Sequence, residues 1–134
     1  MEKTLVLIKP DAMKRNLMGE IISIYQRKGL EITHLKVVQP SPELVKEHYK
    51  EHEGKPFFNN LVEFLTSYRV CAFVIEGERV IETVRKLNGA TDPLEAEPGT
   101  IRGKYAIHKS YNVVHASDSV ESANREIALW FPEI

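Results

Sequence analysis

The chain has 134 residues, with 18 lysines and arginines against 19 aspartates and glutamates and a formal net charge of −1. That balance argues against a bulk electrostatic grip on nucleic acid or on an anionic membrane. Hydrophobic residues at 43% and charged residues at 28% place the chain among globular rather than disordered sequences, and the length suits one domain spanning residues 1–134.

A single cysteine, Cys71, rules out an internal disulfide and points to a reducing compartment, so a cytoplasmic location is expected. The first apolar run, Leu5 to Ile8, is too short for a secretory signal. No run approaches the roughly 18 apolar residues that a membrane span requires.

Thr4 to Lys9 is aliphatic and β-branched and ends at Pro10, which predicts a first strand. Leu17 to Lys28 carries Leu17, Ile21, Ile24 and Tyr25 at helical spacing, with Gly29 as its stop. Leu30 to Val38 partly alternates and reads as a strand near a sheet edge. Ser41-Pro42-Glu43 has the form of a helix start, a capping serine followed by proline at the first helical position. Phe57 to Thr66 is a further helix, with Phe57, Leu61 and Phe64 or Leu65 on one face. Val70 to Ile75 is continuously apolar, as in a central strand. Arg79 to Leu87 is helical, with Val80, Val84 and Leu87 inward and Gly89 after it. Asn112 to Val114 is a short strand. Asp118 to Glu121 resembles a capping box ahead of a last helix with Val120, Ala123, Ile127 and Trp130 on one face.

The order β-α-β-(α-α)-β-α-β-α matches the ferredoxin-like βαββαβ plan. It predicts an α+β fold with a four-stranded antiparallel sheet and added helices. The segment from Gly89 to Tyr111 breaks the pattern: it has little periodicity and holds Pro93, Pro98, Gly99, Arg102 and Gly103. A structureless stretch of that length in a compact domain is expected to carry function.

Several motifs are weak. Gly99 to Tyr105 superficially resembles a phosphate loop, but it is one residue short and Tyr105 stands where a magnesium-holding Ser or Thr is needed. His48 and His52 fit the H-x-x-E-H spacing of a metallohydrolase zinc site; the plainer reading is an exposed, charge-rich helix end. Cys71, inside an apolar strand, reads as a buried structural thiol.

The strongest cluster is Asn112-x-x-His115-x-Ser117-Asp118-Ser119 running into the last helix. His115 lies at a strand end just before a helix N-terminus, where an anion is favoured. Glu126 falls beside Ala123 and Ile127 by helical phase and is therefore partly inward. An inward carboxylate needs a partner, and His115 or Ser117 can be that partner.

This cluster closely resembles the signature of the nucleoside diphosphate kinases, and the resemblance extends along nearly the whole chain. Leu7-Ile8-Lys9-Pro10-Asp11-Ala12, Gly19-Glu20-Ile21-Ile22, Tyr49 with Pro56-Phe57-Phe58, Gly89-Ala90-Thr91-Asp92-Pro93, Pro98 to Gly103, and Val120 to Ala123 with Glu126 all resemble family segments, in order. The resemblance implies transfer of a γ-phosphoryl group from a nucleoside triphosphate to a nucleoside diphosphate through a phosphohistidine. His115 would be the nucleophile through Nδ1, oriented by Glu126 and Ser117. Lys9, Tyr49, Arg85, Thr91 and Arg102 would contact phosphates, and Lys9 and Asn112 the sugar hydroxyls. Phe57 would stack on the base with Leu61 nearby. Mg²⁺ would be held chiefly by the phosphates, with Asp118 reaching it through water. The resemblance also implies a homo-oligomer, hexamer or tetramer, with no need for nucleic acid or membrane. Ala12, Lys104, Lys109, Tyr111 and Ala116 depart from the residues common in the family. None of them carries an assigned chemical role. A catalytically silent nucleotide-binding relative would be favoured by loss of His115, Lys9 or Arg102, and all three are present.

Overall fold

The computed structural model describes residues 1–134. Its four strands are β1 (Glu2–Ile8), β2 (Glu31–Val38), β3 (Val70–Gly77) and β4 (Val114–Ala116). Seven helices accompany them: α1 (Pro10–Lys14), α2 (Met18–Arg27), α3 (Pro42–His48), α4 (Phe58–Leu65), α5 (Val80–Asn88), α6 (Ile101–Tyr105) and α7 (Val120–Trp130). A 3₁₀ turn, Lys50–His52, follows α3. No helix is long and apolar enough to cross a membrane.

The strands form one sheet in the order β2-β3-β1-β4, and every pairing is antiparallel. This is the expected ferredoxin-like arrangement, with β1 and β3 in the centre. Leu5 to Ile8 and Val70 to Ile75 are buried without interruption, because helices cover both faces and leave no solvent side for polar alternation. β2 is the half-exposed edge, as its partial alternation predicts. Helices α2 and α5 pack on each other and on the sheet, α7 lies along β1, and α3 bridges α4 and α7. Twenty-seven buried apolar residues form one contiguous core.

Local signals act as read. Ser41 caps α3, its Oγ accepting from Leu44 N at 3.1 Å, and Gly29 ends α2 at φ 92°. Cys71 is fully buried, and burial pushes its thiol up to about 11. Several expectations need correction. The cap of α7 is Ser119, which accepts from Ser122 N at 3.1 Å, rather than Asp118. Val120 is about half exposed, because it is the first residue of the helix and lies beyond the packed face. In α4 the buried face is Val62 and Leu65, while Phe57 precedes the helix and stays 45% exposed. Val80 and Val84 of α5 are buried and Leu87 packs partly buried against the core, as read, and Ile81 and Asn88 join that face. The short strand near the C-terminus begins at Val114, because Asn112 and Val113 are bent into a turn.

The Gly89–Tyr111 segment contains a helix, α6, which Thr100 caps through Gly103 N at 3.1 Å. Gly103 packs so closely on the Glu97 carbonyl that a Cβ there would collide with it. Gly89, at φ 87°, leaves no room for a side chain beside Thr100. The segment is thus a folded strap rather than a loose loop.

Candidate active site

His115 is the middle residue of β4, opposite Leu7 of β1. Three residues is a short strand, and its flanks are tied down by other means. Lys9 N donates to Val113 O at 2.8 Å, Ser117 N donates to Leu5 O at 3.1 Å, and Leu5 N donates to Ser117 Oγ at 3.2 Å. Val113 N is held by Asp11 Oδ2 at 3.2 Å. Val113 also adopts φ 65°, with Val114 N donating across it to Asn112 O at 2.8 Å. This is a tight three-residue turn, a strained conformation for a β-branched side chain.

α7 brings Glu126 to this strand. Glu126 is 5% exposed. Glu126 Oε1 lies 2.8 Å from His115 Nε2 and also accepts from Ser117 Oγ at 2.8 Å. The sequence left His115 and Ser117 as alternative partners of Glu126, and the structure gives it both. A carboxylate accepts, so a neutral His115 carries its proton on Nε2. Its Nδ1 then keeps a free lone pair.

A cleft of roughly 880 Å³ opens beside this group. Lys9, Tyr49, Arg85, Thr91, Arg102, Asn112, Asp118 and Glu126 line it together with His115. They come from six separate segments, so the fold alone assembles them. Lys9 Nζ donates to Asn112 Oδ1 at 2.8 Å, and Asn112 Nδ2 donates to Thr91 O at 3.0 Å. Burial, reinforced by Arg102, lowers the Lys9 ammonium to about 8. Burial and then Glu126 push the Tyr49 hydroxyl up, so it remains a donor. Asp118 is exposed at the rim. Hydrogen bonding from Ser122 first, then from Ser119, holds its carboxyl below the ordinary range.

Arg102 does more than line the cleft. Its Nε donates to Asn112 O at 3.3 Å, Nη1 to Gly89 O at 2.8 Å and Nη2 to Val114 O at 2.7 Å. One guanidinium thus ties the strap to the residues on both sides of Val113. Burial lowers it to about 10, so it stays charged at neutral pH. Three of its five N–H groups are used, which leaves two for an anion.

Not every predicted residue meets the cleft wall. Ser117 lies beneath it, fully buried. Phe57 and Leu61 lie outside the lining. Phe57 stands at the rim 5.3 Å from the ring of His52, which does line it.

His48 is 3% exposed, so the expected exposed helix end is wrong for that residue, although Lys50 and Glu51 just beyond it are exposed. α3 stops at His48 and His52 lies in the following 3₁₀ turn, so the two do not share one α-helical face. The paired zinc reading loses its basis. His48, His115 and Glu126 do place three metal-capable atoms within 4.8 Å of one another. However, His48 Nδ1 already accepts from Trp130 Nε1 at 3.1 Å. That puts the proton of a neutral ring on Nε2 and takes away the lone pair a metal would need. Sequence reasoning weighed His48 only for zinc. The signal for its burial is Trp130, 82 positions away.

An imidazole held at one nitrogen, facing a cleft lined by Lys and Arg, is chemically suited to nucleophilic transfer of an anionic group. The comparisons identify which group-transfer family carries it. The nucleoside diphosphate kinase profile matches residues 2–134. A nucleoside diphosphate kinase of Caldanaerobacter subterraneus is 58% identical over 134 residues, covering 100% of this chain and 96% of that one. One from Mycobacterium tuberculosis is 59% identical over 132 residues, covering 98% and 97%. Among solved structures, the enzyme of Encephalitozoon cuniculi superposes with a TM-score of 0.95 at 43% identity, covering 98% of this chain and 89% of that one. That of Aquifex aeolicus gives 0.94 at 43%, covering 97% and 94%. The chain belongs to the nucleoside diphosphate kinase family.

Proposed function

We propose that the protein moves the γ-phosphoryl group of a nucleoside triphosphate to a nucleoside diphosphate in two half-reactions through a phosphohistidine on His115. One observation carries this reading: His115 faces an anion-suited cleft with Nε2 tied to Glu126 and Nδ1 free. In the first half-reaction the Nδ1 lone pair forms a bond to the γ-phosphorus. The bond to the bridging oxygen breaks, and the diphosphate leaves with that electron pair. Glu126 balances the positive charge that the ring gains, and Ser117 holds Glu126 in place. The second half-reaction reverses these steps on a different diphosphate in the same cleft.

Lys9, Arg85, Arg102, Tyr49 and Thr91 bind the phosphates in this reading, and charge-assisted donors suit a transfer that depends on positioning. Lys9 and Asn112 hold the sugar. Phe57 offers its exposed ring to the base, with Leu61 behind it. A stacking contact is tolerant of base identity. Family membership brings a divalent cation with the nucleotide. The ionised Asp118 carboxylate at the cleft rim fits Mg²⁺, held chiefly by the phosphates and reached through water. When bound, that ion would neutralise phosphate charge.

We also read residues 1–134 as one domain, which the single core supports. The protein would be cytoplasmic, with no need for nucleic acid or membrane. It would assemble as a hexamer or tetramer, and the half-exposed β2 edge is a natural surface to bury between copies. Sedimentation is expected to give a multiple of the chain mass, and a monomer mass would refute assembly.

Incubation with γ-labelled ATP and magnesium, without acceptor, is expected to leave acid-labile, alkali-stable label on the protein. Added GDP should discharge it. Absence of a labelled protein would sink the mechanism.

The Lys9 value of about 8 gives a pH prediction. In the free protein Lys9 loses its proton as pH rises through about 8. A bound phosphate favours the charged form and raises that value. Nucleotide affinity should therefore be flat below about pH 8 and weaken above it, by at most about tenfold per pH unit. Titration of a non-hydrolysable triphosphate at pH 7, 8 and 9 checks this, and Lys9→Arg should flatten the response. Undiminished affinity at pH 9 in the unaltered protein would contradict it.

A further inference from the structure

A ring held by one hydrogen bond is only half fixed. Glu126 anchors His115 at Nε2, yet the imidazole can still turn about that contact. A second wall stands beside it. The ring of His48 lies 4.7 Å from that of His115, edge to face at 78°.

His48 is itself fixed on several sides. Trp130 meets it edge to face at 5.6 Å and 85° while its indole N–H donates to His48 Nδ1. Tyr49 packs at 4.8 Å and 74°. The Arg125 guanidinium donates to Glu47 O at 3.1 Å and His48 O at 3.2 Å, tying the end of α3 to α7. α7 therefore supplies both supports, Glu126 directly and Trp130 through His48.

We propose that Trp130 and His48 form a positioning pair for the nucleophile: the indole N–H locks His48 in its neutral Nε2–H tautomer, and the His48 ring fixes the plane of His115 against Glu126. The inference rests on His115 being the phosphorylated residue.

The neutral state of His48 matters as much as its place. A charged ring there would sit beside an imidazole that must itself turn positive. Burial first, then His115, Arg125, Lys9 and His52, keep His48 well below the ordinary imidazole range. Glu126 is the acidic group of the cluster, and its Oε1 is shared by His115 and Ser117. The Tyr49 hydroxyl stays neutral. An indole N–H cannot accept, so it also obstructs a second proton on His48 Nδ1.

Trp130→Phe keeps an aromatic ring and removes only the N–H. In a single turnover with γ-labelled ATP, phosphorylation of His115 should slow about ten- to a hundredfold, the range a small misplacement costs. KM should stay within about twofold, because the nucleotide contacts are untouched. The acid limb of the rate profile should move to higher pH, since His48 becomes easier to protonate. Nitrogen NMR of the unaltered protein should show His48 unprotonated at Nδ1 and protonated at Nε2, a readout independent of activity and of whether the variant folds. A wild-type His48 protonated at Nδ1 would overturn the lock. So would a folded Trp130→Phe variant with unchanged rate and pH profile. Failure of the wild type to take label would instead overturn the phosphohistidine reading, so the two failures are distinguishable.

Discussion

His115→Ala is expected to lower turnover by about four orders of magnitude or more and to leave no acid-labile label on the protein. The size follows from the role: removing the group that forms the covalent intermediate disables both half-reactions, and such losses in other enzymes reach about 10⁶-fold. The fold should survive, because His115 is partly exposed on the cleft side and its backbone keeps its place in β4. Removal of the ring leaves Glu126 with Ser117 as a partner, so no buried charge is stranded. Nucleotide binding should persist, since Lys9, Arg85, Arg102 and Asn112 remain. The expected result is a folded protein that binds without turning over. Measured transfer near the wild-type rate would remove His115 from the chemistry.

Arg102→Met is expected to be the most damaging change to stability in the cleft. It keeps most of the stem volume and deletes three donors at once. Asn112 O, Gly89 O and Val114 O all lose a charged partner, and each such bond is worth about 1.5–3 kcal/mol. The three share one side chain and do not add fully, so a loss of about 3–5 kcal/mol is expected. Denaturant unfolding should show the loss as a lower midpoint with an unchanged slope. Nucleotide affinity should also drop, because the strap from Gly89 to Tyr111 would no longer hold Thr91 and Asn112 in register. Arg102→Lys should recover only part of either effect, since one ammonium cannot span three carbonyls set around a planar fork. A methionine variant as stable as the parent would show that the guanidinium serves phosphate alone.

Much of the sheet is legible in the sequence because strand position writes itself into burial. Val70 to Ile75 lacks polar residues because both of its faces are covered, and Leu30 to Val38 alternates because it is an edge. Helical phase alone turns Glu126 inward, and that leads to its partners. The five-residue helices α1 and α6 leave no such trace, being too short for a 3.6-residue period to repeat. The positive φ at Val113 is illegible for a stronger reason: local preference runs against it, and tertiary bonds from Asp11, Lys9 and Arg102 impose it on and around the residue. Convergence of Lys9, Tyr49, Arg85, Arg102 and His115 is likewise a product of topology. His115 stood out by its place at a strand end before a helix, but only the family resemblance gave Lys9, Tyr49, Arg85 and Arg102 a role beforehand, and it passed over His48, whose burial depends on a tryptophan in another helix.

The Val113 turn also bears on how this enzyme can be made hardier. A β-branched residue held at φ 65° costs of order 1–3 kcal/mol, and the bend it makes sets the separation between Asn112 and His115. Heat tolerance and catalytic geometry are therefore written into one backbone torsion. An engineer seeking a higher melting temperature should leave this residue alone and work on the outer helix faces, where added stability does not loosen the reactive centre.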